Sequence, residues 1–253
     1  MMPRFLTNHA FQCVENLGHP KIQTNYGLQS AVKHKDFLII INFKNYLEGK
    51  KALSLAKKIE NYLPDAIIAV PATDIKMLAE KTKLKVFAQH IDCLAIPERS
   101  TGFLSAKTIS SAGAEGSLLN HSEHQLSFSQ INCSLKELKH NKLKAVLCVP
   151  TLAEARKLKK LKPYAMAFED IKLIATNKSI TSYRTKEIKE FISLLKNSNI
   201  LPLCGAGIHT AEDVRAAFNL GCKGVLIASA IAKSKNPEIL LQKLSKIKDN
   251  PKN

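Results

Sequence analysis

From residue 37 onward, short apolar, β-branched runs alternate with longer stretches whose apolar positions recur every third or fourth residue. The runs lie at 37–42, 66–70, 85–89, 116–119, 145–149, 164–168, 200–203 and 224–227. Each is apolar on both faces, as expected of a parallel strand covered on both sides. Between them, Ala52, Leu55, Ala56, Ile59 and Leu63 share one helical face, because a 3.6-residue period aligns such spacings. Ile188, Phe191, Ile192 and Leu195 form a second stripe, and Val214, Ala217, Phe218 and Gly221 a third. Leu240, Leu241, Leu244 and Ile247 form the last. Thr210 and Asp213 have the spacing of a capping box at the head of a helix. Residues 74–84 hold at most a short helix, and 92–113 are the least regular stretch.

Eight strand–helix units in one run predict a (β/α)8 barrel. A doubly wound sheet is the rival, but no G-x-G-x-x-G turn follows the first strand. Residues 1–36 show neither period and contain Pro3, Gly18, Pro20 and Gly27. They also lack the apolar central run of a secretory signal, and with a single Arg and no amphipathic face they make a poor transit peptide. The expected organisation is a poorly structured N-terminal extension over 1–36 and a barrel catalytic domain over 37–253.

Composition narrows the classes. The chain has 253 residues, 45% hydrophobic and 23% charged, which fits a globular protein. No apolar run approaches the roughly 18 residues of a membrane span, so no membrane partner is expected. The formal charge of +17 favours an anionic ligand. The excess is mostly Lys spread along amphipathic stretches, Trp is absent and aromatics are 6%, so no base-stacking platform and no nucleic-acid partner are expected. The six cysteines form no C-x-x-C pair and show no metal-ligand spacing with histidines. They predict a reducing, cytoplasmic setting without a metal, with Cys148 and Cys204 as small core residues.

In a barrel the chemistry sits at the C-terminal ends of the strands. The first strand ends in Asn42-Phe43-Lys44, where alternation sets Asn42 and Lys44 on one side and Phe43 on the other. The third ends in Gln89-His90-Ile91-Asp92, the fourth in Asn120-His121-Ser122-Glu123, and the sixth in Glu169. The seventh and eighth run into Gly205-Ala206-Gly207 and Ala228-Ser229-Ala230. A lysine to fix an anion, an imidazole to move a proton and a carboxylate to act as base therefore share one rim. Two small-residue loops stand where barrels commonly bind phosphate.

These residues resemble the triosephosphate isomerase family, and more closely its short archaeal-type branch. The resemblance covers roughly residues 38–247. It is carried by Ile41-Asn42-Phe43-Lys44-Asn45-Tyr46-Leu47-Glu48-Gly49, by Phe87-Ala88-Gln89-His90-Ile91-Asp92, and by the segment from Ala112 to Glu123. Leu203-Cys204-Gly205-Ala206-Gly207-Ile208 and Val225-Leu226-Ile227-Ala228-Ser229 complete it in the family's order. The resemblance implies a TIM barrel that interconverts dihydroxyacetone phosphate and D-glyceraldehyde 3-phosphate without cofactor or metal. It implies Glu169 as general base, His121 as electrophile, Lys44 as anion holder, Asn42 as a substrate contact that helps position the lysine, and Glu123 as a buried carboxylate that supports it. Substrate and phosphate contacts would fall to Phe43, Ile174, Ala175, Gly205, Gly207, Ala228 and Ser229. A homo-oligomer, a homotetramer by the family's habit, is implied as well.

The lid departs from the family pattern. Where the family reads Glu-Pro-Pro-Glu-Leu-Ile-Gly-Thr-Gly, this chain has Glu169-Asp170-Ile171-Lys172-Leu173-Ile174-Ala175-Thr176-Asn177. Ala230 stands where a glycine is frequent. Loss of the prolines widens the conformations an open lid samples, which sets a catalytically weakened or retuned phosphate-ligand-binding barrel as the alternative.

Overall fold

The eight apolar runs form eight parallel strands that close into a barrel. A computed structural model describes residues 37–94, 99–169 and 184–249, so the expected extension over 1–36 and the lid segment 170–177 lie outside the described residues. The elements run β1 (Leu38–Asn42), α1 (Gly49–Tyr62), β2 (Ile67–Val70), α2 (Ile75–Lys81), β3 (Lys85–Ala88) and α3 (Ala106–Ser111). They continue as β4 (Gly116–Leu119), α4 (Phe128–His140), β5 (Lys144–Val149), α5 (Leu152–Leu158), β6 (Ala165–Phe168) and α6 (Thr185–Leu195). The rest are β7 (Leu201–Cys204), α7 (Ala211–Leu220), β8 (Gly224–Ile227), α8 (Ser229–Ala232) and α9 (Pro237–Asp249). Each strand pairs with the next, and β1 pairs with β8 through Leu38–Gly224 to Ile41–Ile227. That closure excludes the doubly wound sheet.

Two apolar layers follow from the two-residue period of the strands. Ile40, Ile67, Ala69, Phe87, Leu118, Val146, Cys148, Ala165, Ala167, Leu203 and Leu226 point inward and fill the barrel. The residues between them, such as Ile39, Ile41, Ile68, Val86, Leu147, Met166 and Val225, point outward against the helices. The stripes of α1, α6, α7 and α9 bury Ala52, Leu55, Ile59, Ile188, Phe191, Val214, Ala217, Leu241 and Leu244 in that outer layer. A glycine is needed at 116 because a β-carbon there would collide with the Phe87 ring inside the barrel. The capping box opens α7: the Thr210 side chain accepts from the Asp213 N–H, and the Asp213 carboxylate accepts from the Thr210 N–H. The last helix, α9, packs on α1 and α7 and joins the two ends of the barrel.

The cysteine reading needs correction. Cys93 and Cys133 are joined by a disulfide with Cα atoms 5.5 Å apart, which ties the loop after β3 to α4. The pair is separated by 40 residues and leaves no local spacing signal, so the inferred reducing setting loses its basis. Cys148 and Cys204 are buried and free, as expected of core residues. Among the described residues no helix is long and apolar enough to cross a membrane.

Candidate active site

The inward parity of the strands continues one step past the apolar filling of the barrel and selects the residues at its mouth. Asn42 follows Ile40, Gln89 follows Phe87, Asn120 follows Leu118, and Glu169 follows Ala167. Gly205 follows Leu203 and Ala228 follows Leu226 in the same way. Asn42 and Glu169 line one cavity in this way, and Lys44 and His121, brought in where the chain takes positive φ at Lys44 and Asn120, line it with them, together with Gly205, Gly207, Ala228 and Ser229. The residues expected from the sequence to act together are brought together, from strands β1, β4, β6, β7 and β8.

Lys44 is aimed by its backbone. Its φ is +46°, in the left-handed region that a lysine enters at a cost. Three hydrogen bonds hold it there. The Lys44 N–H donates to Asn42 Oδ1 at 2.9 Å, and the Gln89 side-chain N–H donates to the Lys44 carbonyl at 2.9 Å and to Asn42 Oδ1 at 3.2 Å. The ammonium then reaches Glu123 Oε1 at 2.8 Å. Glu123 pairs with the lysine but is not the buried carboxylate expected: its side chain is 58% exposed, against 11% for Lys44. It lies past the end of β4, where the chain has left the barrel wall.

His121 is held by the residue before it. Asn120, at φ +58°, donates through Nδ2 to the Cys148 carbonyl at 2.9 Å and accepts the Leu126 N–H at 2.8 Å. The Glu123 N–H donates to His121 Nδ1 at 3.2 Å. An imidazole nitrogen that accepts carries no proton, so the neutral ring bears its proton on Nε2. That nitrogen points to Glu169 Oε1, 3.9 Å away. Burial and the Lys44 charge lower the His121 pKa to about 4, against an opposing pull from Glu123. The ring is therefore a neutral N–H donor at ordinary pH.

Glu169 closes the group. It is 2% exposed, and its Oε2 is buried with no hydrogen-bond partner among the described residues. Burial raises its pKa to about 8, with the Cys148 thiol, Lys44 and the Ser122 N–H pulling the other way. Gly205 makes room for it, since a β-carbon there would lie 2.6 Å from Glu169 Cγ.

Phe43 does not line the cavity; its side chain is fully buried between barrel and helices. Ile174 and Ala175 lie outside the described residues. Gln89 and Asn120 stood in the strand-end motifs without a role of their own, although inward parity marks both. Cys148, beneath Glu169, was read only as core, and His209 in the loop after β7 carried no signal beyond its residue type.

Comparison with known proteins follows the same lines. A family model described as triosephosphate isomerase matches residues 37–246. A triosephosphate isomerase of Methanobrevibacter smithii is 36% identical over 219 residues, covering 83% of this chain and 98% of that protein. One from Metallosphaera sedula is 38% identical over 212 residues, covering 81% and 92%. Among solved structures, triosephosphate isomerase from Bartonella henselae superposes with a TM-score of 0.67 at 17% identity, over 85% of this chain and all of that one, a likeness of fold.

Proposed function

The chain belongs to the triosephosphate isomerase family, and from that premise we propose how its residues interconvert dihydroxyacetone phosphate and D-glyceraldehyde 3-phosphate. The protein is a triose-phosphate isomerase, and its substrate is a phosphorylated triose. In the proposed mechanism the Glu169 carboxylate takes a proton from the carbon bearing the hydroxyl, beside the carbonyl. The electrons left behind form the carbon–carbon double bond of an enediolate, and the carbonyl oxygen takes up the negative charge. His121 donates from Nε2 to that oxygen and Lys44 faces it with its ammonium. Glu169 then returns the proton to the neighbouring carbon, while the imidazole carries a proton between the two oxygens. The sum is an isomerisation with no net loss of atoms or electrons.

Each group suits its task. A carboxylate removed from water is a stronger base. A neutral imidazole close in acidity to the enediol exchanges protons with it more readily than an imidazolium would, and a glutamate base beside a neutral histidine is the established pairing in triosephosphate isomerase. Donors fixed in place before reaction stabilise developing charge without reorganising. The small residues Gly205, Gly207, Ala228 and Ser229 let backbone approach the phosphate end.

The observation that carries this reading is the meeting of Lys44, His121 and Glu169 in one cavity, with His121 Nε2 3.9 Å from the Glu169 carboxylate. It leaves the weakened or retuned barrel unfavoured. A coupled assay, in which dihydroxyacetone phosphate formed from glyceraldehyde 3-phosphate is reduced at the expense of NADH, tests it. Turnover well above background is expected, and folded protein without turnover contradicts it.

Three further points belong to the same reading. Residues 37–253 form the catalytic domain and 1–36 an extension dispensable for turnover, which deletion tests; the family match beginning at residue 37 supports this. The chain assembles as a homo-oligomer, a homotetramer in the family's short branch; exposed Phe103 (59%) and Tyr46 (38%) offer apolar surface for it. Light scattering reads the mass. The cytoplasm is the proposed compartment on the family resemblance alone, since the Cys93–Cys133 disulfide removes the cysteine argument for it, and cell fractionation checks it.

A further inference from the structure

Among the described residues, five buried side-chain polar atoms have no hydrogen-bond partner, and two of them belong to residues lining the active-site cavity. One is Glu169 Oε2, which the mechanism uses. The other is His209 Nε2, which it does not. A buried nitrogen that gives up water without a replacement is costly, and such an atom in a functional cavity calls for a ligand.

The backbone around His209 is fixed. Its N–H donates to Asp213 Oδ2 at 3.0 Å, and the Thr210 N–H and hydroxyl donate to the same oxygen at 2.9 and 3.0 Å. The capping box of α7 thus holds residues 209 and 210 rigidly and presents the imidazole from a set position. That position is on the wall of the cavity, where it adjoins a second groove. The loop starts at Gly205, against Glu169, and reaches His209 four residues later. His209 also borders the neighbouring groove, with Ala230, Ser234 and Lys235. The same cavity holds the small residues Gly205, Gly207, Ala228 and Ser229, assigned above to the phosphate end of a triose whose carbonyl lies between Glu169 and His121.

We infer that His209 donates a hydrogen bond from Nε2 to the phosphate of the bound triose phosphate, and so sets the preference for phosphorylated over unphosphorylated substrates. The inference rests on the isomerase reading above and adds a residue to its phosphate end. A phosphate offers three oxygen acceptors with negative charge, and an N–H donated to a charged acceptor is worth roughly tenfold or more in binding.

The test compares wild type with His209→Ala, His209→Asn and His209→Gln. Three quantities are read: kcat/KM for glyceraldehyde 3-phosphate, kcat/KM for unphosphorylated D-glyceraldehyde, and the inhibition constant of inorganic phosphate. With Ala or Asn, the ratio of the two kcat/KM values falls about tenfold and the phosphate inhibition constant rises by a similar factor. Gln, whose amide reaches the place of Nε2, retains most of both. A structural role would lower both kcat/KM values together, leave phosphate inhibition unchanged and gain nothing from Gln; that pattern, in whichever variants fold, overturns the inference. If wild type turns over neither substrate, the isomerase reading fails by itself. Calorimetry with inorganic phosphate still decides the role of His209: equal affinity in wild type and His209→Asn refutes it.

Discussion

The imidazole Nε2 of His121 stands 3.9 Å from the Glu169 carboxylate, and the cavity reverses the usual order of their acidities. Burial raises Glu169 to about 8 and lowers His121 to about 4. In water a carboxyl group loses its proton before an imidazolium does. Here, between those two values, the ligand-free site holds a neutral ring and a protonated carboxyl. Both are uncharged because neither charge is solvated, and Lys44 adds to the case against an imidazolium. The division of labour follows: the carboxyl group moves the carbon-bound proton, and the ring serves the oxygens.

The pH dependence of turnover follows from the first of these values. The base works only when deprotonated, so kcat/KM rises about tenfold per pH unit below the Glu169 value of about 8 and levels off above it. His121 adds no limb in this range, because its value of about 4 keeps it neutral. The ionisation of the substrate's own phosphate is measured separately and divided out. A profile flat from about pH 5 to 9 after that correction contradicts the proposed environment of Glu169.

Stability should show the opposite trend. The folded-state value of Glu169, about 8, lies above its ordinary 4.5. Below the ordinary value both folded and unfolded chains hold the proton and nothing is lost. As pH rises from there to about 8, the unfolded chain releases its proton freely while the folded one resists, so stability falls. Glu169→Gln removes that penalty. Its Tm should exceed that of wild type by on the order of 10 °C at alkaline pH and by little in acid, as calorimetric or circular-dichroism melts would show. A difference in Tm that does not change with pH contradicts the assignment.

Gly205→Ala should injure catalysis more than folding. The new β-carbon would lie 2.6 Å from Glu169 Cγ, so the carboxylate must move. A displacement on the order of 1 Å can cost about 10²-fold in rate. Steady-state kinetics should therefore show kcat reduced by that order with KM changed far less. An unaltered kcat would mean that Glu169 is not held where its role requires.

The disulfide gives a prediction about stability alone. Closing a loop of 40 residues removes entropy from the unfolded chain and stabilises by about 4 kcal/mol. Cys133→Ser should lower Tm by on the order of 10 °C in a chain of this size. Reduction of the wild type should reproduce the shift, and a thiol titration of unfolded protein should find two thiols fewer than after reduction. Equal melts with and without reductant contradict the bond.

Much of the site was legible because the barrel obeys a parity. Once Ile40 is read as inward, Asn42 must be inward too, and the same step leads from Ala167 to Glu169 and from Leu203 to Gly205. Periodicity placed the strands to within a residue or so for the same reason. What lay off that lattice was not legible. Glu123 sits beyond the strand end, where parity no longer fixes burial, and it proved exposed. Phe43 has the outward parity and is buried behind the wall, so nearness in sequence to Lys44 gave no contact with the cavity. The Cys93–Cys133 pair depends on how a loop crosses to a helix, which no local spacing records. Gln89 and Asn120 act by holding the unusual backbone at Lys44 and beside His121, a role visible only from hydrogen bonds.

The central claim is that the Glu169 carboxylate carries the proton between carbons. Isomerisation in D2O, followed by NMR for wild type and Glu169→Gln, tests it most directly. Wild type should place deuterium on the carbon that receives the proton, because a carboxyl group exchanges with solvent between taking and giving it. Glu169→Gln should form product about 10²–10⁴-fold more slowly. Product free of deuterium from wild type, or an undiminished rate from Glu169→Gln, would contradict the account.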